Sequence, residues 1–225
     1  MDDPREAAKK AAGYRAAELV EDGMRVGLGT GSTAHWLIVA LGERKPDITC
    51  TATSLRSEQL ARELGLTVLT PDEIGALDIA IDGADEVDPA FNLVKGGGGA
   101  HLREKIIAQM SPRFVVVADE SKLVDRLGAF GLPLEVLDFA PDVAASRVRA
   151  LGAGSVTTRE NRSDNGNLLM DAHFAAIDDP GGLASELEQI PGIVEHGLFL
   201  ADMVERVIVA GADGSVRELV NQRVN

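Results

Sequence analysis

The chain has few of the residues on which several classes of protein depend. Cys50 is the only cysteine, which excludes an intramolecular disulfide and a multi-cysteine metal site and favours a buried strand position for this residue. Aromatic residues make up 4% of the chain, too few for the stacking surfaces that bind single-stranded nucleic acid. The four histidines include no pair with the spacing of metal ligands. The candidate chemistry therefore lies with glycines, carboxylates and a few lysines.

Apolar runs long enough to cross a bilayer, which takes about 20 consecutive residues, are also missing. Runs such as residues 114–118 and 198–201 are far shorter. The opening residues lack the charged-then-apolar order of a secretory signal. The sequence therefore predicts a cytoplasmic protein with no membrane contact.

Basic residues are scarce, with 22 Lys and Arg against 36 Asp and Glu, and the formal net charge is −14. This balance argues against a nucleic-acid binder, because phosphate contacts need clustered Lys and Arg. The acidic residues are spread along the whole chain. They fit an ordinary acidic protein or an adaptation to high salt, where screening weakens the repulsion between carboxylates. We favour the second interpretation as a hypothesis.

The order of patterns along the 225 residues predicts an α/β fold with two parts. Strand, turn and helix alternate through the first 120 residues, which is typical of a mostly parallel sheet with helices on both faces. After residue 130 the order becomes strand, helix, strand, hairpin, strand, helix, strand, with a turn at residues 164–167 and the last of these strands at 198–204. A final strand is predicted at residues 206–211, where the chain returns to the first sheet. We therefore predict a larger domain over residues 1–129 and 205–225 and a small α+β domain over 130–204.

A glycine-rich turn follows the first predicted strand, at residues 27–33 (GLGTGST). Its N–H groups and hydroxyls suit a phosphate at a helix N-terminus. No Lys follows the last glycine, as a Walker A loop requires, and Ser32 occupies the last glycine position of G-x-G-x-x-G. No acidic residue ends the next strand to bind the ribose of NAD. The alternative is a tight turn before a capped helix.

The densest set of chemical groups lies in residues 82–104. Asp82 and Asp85 are predicted on a turn after a strand at residues 78–81, where they could cap a helix or hold a magnesium ion. Lys95 precedes four glycines, which form either a flexible surface loop or a helix N-terminus whose N–H groups stabilise an oxyanion. Glu104 is either a solvated helix charge or a base aimed at the same pocket. The set suits proton transfer next to a carbonyl.

In combination and order, these motifs resemble ribose-5-phosphate isomerase of type A over essentially the whole chain. The motifs that carry the resemblance are residues 27–33 (GLGTGST), 82–85 (DGAD), 95–98 (KGGG), 103–107 (REKII), 118–125 (ADESKLVD) and 164–167 (DNGN). The resemblance implies a Rossmann-like domain with a smaller ferredoxin-like α+β domain. It also implies a homodimer or homotetramer that acts on a sugar phosphate with no metal and no organic cofactor.

The reaction implied is the interconversion of ribose 5-phosphate and ribulose 5-phosphate through a cis-enediolate, in the pentose phosphate pathway. Glu104 matches the family's proton-transferring base, and Asp82, Asp85 and Lys95 match its other catalytic residues. Ser54 and Ser57 lie where relatives have a Ser-rich stretch, and we assign them no role. The positions that match substrate-binding residues are Thr30, Gly31, Ser32, Thr33, Asp82, Gly83, Ala84, Asp85, Lys95, Gly96, Gly97, Gly98 and Lys122.

Two other functions remain open at the level of the sequence. A related sugar-phosphate isomerase or deaminase on the same fold would show amine release from an aminosugar phosphate. A non-catalytic sugar-phosphate sensor would bind its ligand without turnover. No DNA-binding helix pair precedes residue 24, and the negative charge also disfavours a regulator of that kind.

Overall fold

The computed structural model describes residues 3–224. Its helices are α1 (Pro4–Ala17), α2 (Ser32–Arg44), α3 (Leu55–Glu63), α4 (Pro71–Ile74), α5 (His101–Gln109), α6 (Pro141–Ala150) and α7 (Pro180–Glu188). Its strands are β1 (Arg25–Leu28), β2 (Thr49–Ala52), β3 (Thr67–Val68), β4 (Ile79–Gly83), β5 (Glu86–Val87), β6 (Leu93–Val94), β7 (Phe114–Asp119), β8 (Leu132–Val136), β9 (Ser155–Arg162), β10 (Leu168–His173), β11 (Ile193–His196), β12 (Leu198–Phe199), β13 (Arg206–Ala210) and β14 (Val216–Val220).

The chain forms two compact units. The first contains the residues up to Gly83, then Arg103–Lys122 and the residues from Asp202 onward. The second contains Ala84–Leu102 and Leu123–Ala201. The boundaries expected from the sequence differ at three places: residues 84–102 and 123–129 were expected in the larger domain, and residues 202–204 in the small one. For residues 84–102 the physical reason is that β6 pairs with β5 on one side and with β12 on the other, in a separate three-stranded sheet.

A seven-stranded sheet forms the centre of the first unit, in the order β14-β13-β7-β4-β1-β2-β3. Adjacent strands from β13 to β3 are parallel, and β14 pairs antiparallel with β13 at the edge. The predicted mostly parallel sheet is therefore confirmed. The strand order reverses at β1, because β2 and β3 lie on one side of it and β4 and β7 on the other. In open α/β sheets, ligands bind at such a reversal, outside the carboxyl ends of the strands.

Close packing of small residues joins the first two helices to this sheet. Asp3 is the N-cap of α1, and its carboxylate accepts a hydrogen bond from the N–H of Arg5 at 3.0 Å. A Cβ at Gly13 would lie 2.7 Å from the backbone nitrogen of Leu37, so only glycine lets α1 approach α2 this closely. Cys50 lies fully buried in β2, as expected, and burial raises the pKa of its thiol to about 12.

The second unit contains a four-stranded antiparallel sheet in the order β11-β8-β10-β9. With α6 after β8 and α7 after β10, the chain order is strand, helix, strand, strand, helix, strand. This order and this sheet are those of the ferredoxin-like fold, as the resemblance implied. Apolar residues of the sheet and both helices, among them Leu134, Val148 and Leu187, form its core.

The hairpin predicted at residues 164–167 is confirmed, because β9 and β10 pair antiparallel on either side of it. The buried Glu135 of β8 holds this turn. Its Oε1 accepts hydrogen bonds from Ser163 Oγ at 2.8 Å, Asn165 Nδ2 at 3.0 Å and Asn167 Nδ2 at 2.7 Å. The polar residues of the turn are thus oriented by one carboxylate.

The strand predicted at residues 198–204 is wrong in most of its length. Only Leu198–Phe199 is a strand, and a 3₁₀ helix follows at Ala201–Met203. Pairing of β12 with the two-residue β6 ends after Phe199, so no partner backbone extends the strand further. Within the part of the chain that the structure describes, no helix is long and apolar enough to span a membrane.

Candidate active site

Most of the predicted site residues of the first unit lie at the carboxyl edge of its parallel strands. The segments that end or follow β7, β4, β1 and β2 are neighbours there, because the strands are adjacent in the sheet. This edge includes the reversal beside β1, where a ligand is expected. Side chains from segments far apart in sequence therefore meet at one edge.

Asp82 lies inside β4 rather than on the turn predicted for it. The strand continues to Gly83 because Asp82 and Gly83 are paired with Val116 and Val117 of β7. Asp82 is 3% exposed, and its Oδ1 accepts hydrogen bonds from the N–H of Thr30 at 2.8 Å and of Gly83 at 2.7 Å. Two backbone N–H groups, one from the segment after β1 and one from β4, thus fix one oxygen of the Asp82 carboxylate.

Thr30 also belongs to a cluster of hydroxyl groups whose other members, Thr53, Ser54 and Ser57, were not predicted to belong to the site. Its Oγ1 lies 2.7 Å from Thr53 Oγ1 and 2.8 Å from Ser54 Oγ. Ser54 caps α3 by accepting from the N–H of Ser57, and Ser57 Oγ donates to the carbonyl of Gly29 at 2.7 Å. The cluster joins the segments that follow β1 and β2. The signal in the sequence was the run of hydroxyl residues directly after the second strand.

The glycine-rich turn places the N-terminus of α2 at the same edge. Gly31 is the N-cap with a φ of 111°, a left-handed conformation that favours glycine. Among the described residues, no side chain caps this helix. Gly31 and Ser32 are exposed, whereas Thr33 is buried. An exposed helix N-terminus without a side-chain cap offers backbone N–H groups to a phosphate.

Glu104 is the fourth residue of α5 and is 4% exposed. It lines, together with Asp82, a narrow cavity that has no room for a water molecule. The other residues around this cavity are mostly glycine or apolar: Gly27, Gly29, Thr53, Ala80, Ile81, Ile107, Ala108 and Phe114. The structure thus brings two of the predicted catalytic carboxylates to one largely apolar cavity.

Lys122 lies in the 3₁₀ helix that follows β7, and it is half-buried. The turn before it is held by Asp119, whose carboxylate accepts hydrogen bonds from the N–H and the hydroxyl of Ser121. Because β7 is the neighbour of β4, Lys122 follows the strand next to that of Asp82. The first unit therefore carries Asp82, Gly83, Glu104, Lys122 and the residues 30–33.

Asp85, Lys95 and the glycine loop belong to the second unit and are connected there. Asp85 donates its N–H to the carbonyl of Val94 at 2.8 Å, and its Oδ2 accepts from the N–H of Gly97 at 2.7 Å. A Cβ at Gly97 would lie 2.7 Å from Asp85 Oδ1, so this position requires glycine. Lys95 is 2% exposed, and its Nζ lies 5.3 Å from the centroid of the Phe199 ring.

The glycine loop forms a hydrogen-bonded turn in which Gly97 and Gly98 are exposed. Gly96 and Gly99 have positive φ values of 105° and 78°, and the N–H of Gly99 donates to the carbonyl of Gly96 at 2.9 Å. The N–H groups of Gly97 and Gly99 are thus engaged within the second unit. Those of Gly96 and Gly98 remain as candidates for an oxyanion.

His101 is packed against this loop. It is fully buried, its Nε2 lies 3.4 Å from the carbonyl of Glu195, and a Cβ at Gly96 would lie 2.7 Å from its Nδ1. These contacts favour a structural role for His101. Over residues 3–224, no group of three or more His, Cys, Asp or Glu side chains is arranged to hold a metal ion.

Comparison with known proteins shows which family the chain belongs to. The family model of ribose 5-phosphate isomerase A (phosphoriboisomerase A) matches residues 49–214. The chain belongs to this family. The ribose-5-phosphate isomerase A of Jannaschia sp. (strain CCS1) is 47% identical over 228 residues, which cover 95% of this chain and 87% of that protein.

Solved structures of the family have the same fold. Ribose 5-phosphate isomerase A from Neisseria gonorrhoeae superimposes with a TM-score of 0.92 at 36% identity, covering 96% of this chain and 97% of that one. A D-ribose-5-phosphate isomerase in complex with phospho-erythronic acid gives a TM-score of 0.90 at 39% identity, covering 94% and 97% of the two chains. The predicted fold class is confirmed.

The family membership confirms the predicted function. The chain is an aldose–ketose isomerase that interconverts ribose 5-phosphate and ribulose 5-phosphate, a reaction of the pentose phosphate pathway. The deaminase and the non-catalytic sensor that the sequence left open are not favoured by these findings.

Proposed function

We propose that Glu104 is the base that moves a proton between C2 and C1 of the open-chain sugar phosphate. The two carbons are neighbours, so one carboxylate can remove the proton from one and return it to the other through a cis-enediolate. The observation that supports this role most directly is the burial of Glu104 in the cavity that Asp82 also lines. General base catalysis of this kind contributes typically about 10²–10⁴-fold to a rate.

The enediolate carries negative charge on oxygen and needs donors that stabilise it. We assign this role to the N–H groups of Gly96 and Gly98 and to the ammonium of Lys95. A well-placed oxyanion donor is worth roughly 3 kcal/mol. The ordered turn supports the assignment, because preorganised donors do not have to reorganise as the charge develops.

Asp82 and Asp85 accept and return the hydroxyl protons of the sugar, including those that move when the ring opens. Each carboxylate is oriented by backbone N–H donors, from Thr30 and Gly83 in one case and from Gly97 in the other. Fixed orientation suits proton transfer to a defined oxygen.

The phosphate of the substrate is anchored by the N-terminus of α2 and by Lys122. Support comes from the exposed Gly31 and Ser32 and from the position of Lys122 after β7. The helix N-terminus and a lysine both favour a dianion. Replacement of Ser32 and Thr33 by Ala weakens binding of inorganic phosphate, and an unchanged affinity would show that the anchor lies elsewhere.

The test of the central role uses Glu104→Gln, with Glu63→Gln on the exposed side of α3 as the control. We expect Glu104→Gln to lose about 10³-fold or more in kcat and to lose exchange of the C2 proton with solvent. Binding of phospho-erythronic acid, which a relative binds, persists in this variant. Near-normal turnover of Glu104→Gln would refute the assignment.

We further propose that the protein is a cytoplasmic homodimer or homotetramer that needs no metal and no organic cofactor. Exposed apolar side chains of the second unit support self-association: Phe139 is 94% exposed, Val143 54% and Leu137 48%. Light scattering coupled to gel filtration measures the mass, and activity before and after chelation tests the metal. A monomer, or a chelator-sensitive rate, would contradict the respective proposal.

A further inference from the structure

One arginine outside the predicted site holds the glycine loop from within the second unit. Arg159 lies on β9, and its Nη1 donates to the carbonyls of Gly96 at 3.0 Å and Gly97 at 3.1 Å. Its side chain is 15% exposed. A charged donor thus binds two successive peptide groups of a loop that would otherwise have the conformational freedom of glycine.

Asp171 on β10 fixes the guanidinium in this orientation. Arg159 Nε donates to Asp171 Oδ2 at 2.8 Å, and Arg159 Nη2 donates to Oδ1 at 2.6 Å. The pair is bidentate, and the Asp171 side chain is 22% exposed. This geometry restrains both the position and the plane of the guanidinium, which a lysine could not reproduce.

The strand pairing explains how Arg159 reaches the loop. Thr158 is paired with Met170 and Arg162 with Leu168, so three residues of β9 oppose the single residue Leu169. Bulges of this kind redirect side chains and occur next to active sites. Leu169 touches the same loop, because a Cβ at Gly99 would lie 2.6 Å from its Cδ1.

The contact also decides where the loop's N–H groups point. In a trans peptide the C=O and the N–H face opposite sides, and the described residues contain no cis peptide bond. Since Arg159 binds the carbonyls of Gly96 and Gly97, the N–H groups of Gly97 and Gly98 face away from it. The first of these donates to Asp85. The second is a candidate oxyanion donor.

We infer that Arg159, held by Asp171, is a positioning residue of the isomerase reaction. It orients the N–H of Gly98 toward the developing enediolate and the N–H of Gly97 toward Asp85. Hydrogen bonding of the carbonyls to a cation also polarises these peptide groups and strengthens their N–H donors. The inference rests on the proposed role of the glycine loop, whereas the phosphate anchor involves none of these contacts.

Arg159→Met tests the inference, with Arg162→Met as the matched control. Arg162 is on the same strand and is also paired, but its guanidinium donates to Asp138 and to the carbonyl of Gly166 instead of to the glycine loop. We expect Arg159→Met to lower kcat about 10–100-fold, because the N–H of Gly98 and the carboxylate of Asp85 are then less firmly oriented. KM should change less than about threefold. Arg162→Met keeps kcat within roughly twofold of the wild type.

A second measurement separates positioning from general damage to the fold. Phospho-erythronic acid carries a carboxylate where the substrate carries its reacting carbons, so it engages an oxyanion donor. In Arg159→Met its affinity falls about as much as kcat/KM, whereas the affinity for inorganic phosphate is unchanged. Equal losses for both ligands, or a kcat within about twofold of the wild type, would overturn the inference.

If Arg159→Met loses more than about 10 °C in Tm, Arg159→Lys decides the question, because it keeps the charge. A reduced kcat at a near wild-type Tm supports positioning, and a full kcat contradicts it. Glu104→Gln, measured in parallel, separates a failure of the proposed role of Glu104 from a failure of the inference about Arg159. An active Glu104→Gln variant would refute the proposed mechanism. If Glu104→Gln is inactive and Arg159→Met is fully active, only the inference about Arg159 is refuted.

Discussion

A single methyl group at Gly29 should displace Asp82, which makes Gly29→Ala the sharpest test of the site's geometry. A Cβ built at Gly29 lies 2.1 Å from Asp82 Oδ1, 2.3 Å from its Cγ and 2.5 Å from its Cα. Rotation of the Asp82 side chain clears only the first two atoms. The contact with the backbone Cα is relieved only if β1 or β4 moves.

The size of the effect follows from these distances. Ordinary contact begins at 3.4 Å, so the backbone must yield by about 1 Å, a case of overpacking that costs typically about 1–3 kcal/mol. Weakening the hydrogen bond from Thr30 to the carboxylate adds about 1–2 kcal/mol. A total near 3 kcal/mol lowers Tm by roughly 6–12 °C for a domain of this size. A displacement of about 1 Å costs about 100-fold in kcat.

The matched control is Gly83→Ala, on the other side of Asp82. Its Cβ would meet nothing closer than the carbonyl of Thr30, at 3.6 Å, so Tm stays within about 2 °C of the wild type. Thermal unfolding gives the stability, and initial rates with ribose 5-phosphate give kcat. If Gly29→Ala has a wild-type Tm and more than about half the wild-type kcat, the close approach of Gly29 and Asp82 is not what the activity requires.

Other predictions concern groups away from the catalytic residues. Because burial raises the pKa of Cys50 to about 12, thiol reagents should label it only after unfolding; rapid stoichiometric labelling of the folded protein would contradict this. Burial alone would raise the pKa of Glu205, but hydrogen bonds from Arg113 and Arg206 lower it overall, below its ordinary value of 4.5. The ionised Glu205 therefore stabilises the fold fully above pH 4.5, and this stabilisation is lost as the pH falls below that value. Glu205→Gln should have a lower Tm than the wild type at neutral pH, and the difference in Tm between the two proteins should narrow only in acid. A difference that does not depend on pH would refute this linkage. If the acidic surface reflects high-salt adaptation, Tm should rise with the salt concentration, which shortens the Debye length from about 30 Å to about 3 Å. Full stability in dilute buffer would contradict this hypothesis.

Local patterns in the sequence were sufficient for the parallel sheet, the hairpin at residues 164–167 and the motifs of the family. The alternation of strand and helix repeats several times, and each repeat narrows the choice of fold. Gly31 is required by its own backbone conformation, so its sequence signal is local as well. The motif combination alone was enough to indicate the isomerase reaction, which the comparisons then confirmed.

Short and edge elements were not predictable in the same way. The strands β5, β6 and β12 have two residues each, too few to show an alternating pattern. Residues 84–102 were consequently expected in the larger domain. The position of Asp82 within β4 depends on pairing with β7, which lies more than 30 residues further along the chain.

The sequence by itself determined the fold class and the reaction, because these depend on local patterns and on motifs. Only the tertiary structure decided how the site is supported. The hydroxyl cluster at Thr30 joins residues that follow different strands, and Arg159 binds a carbonyl 63 positions away. Such contacts depend on strand order, register and a bulge, which form only when the whole sheet is assembled.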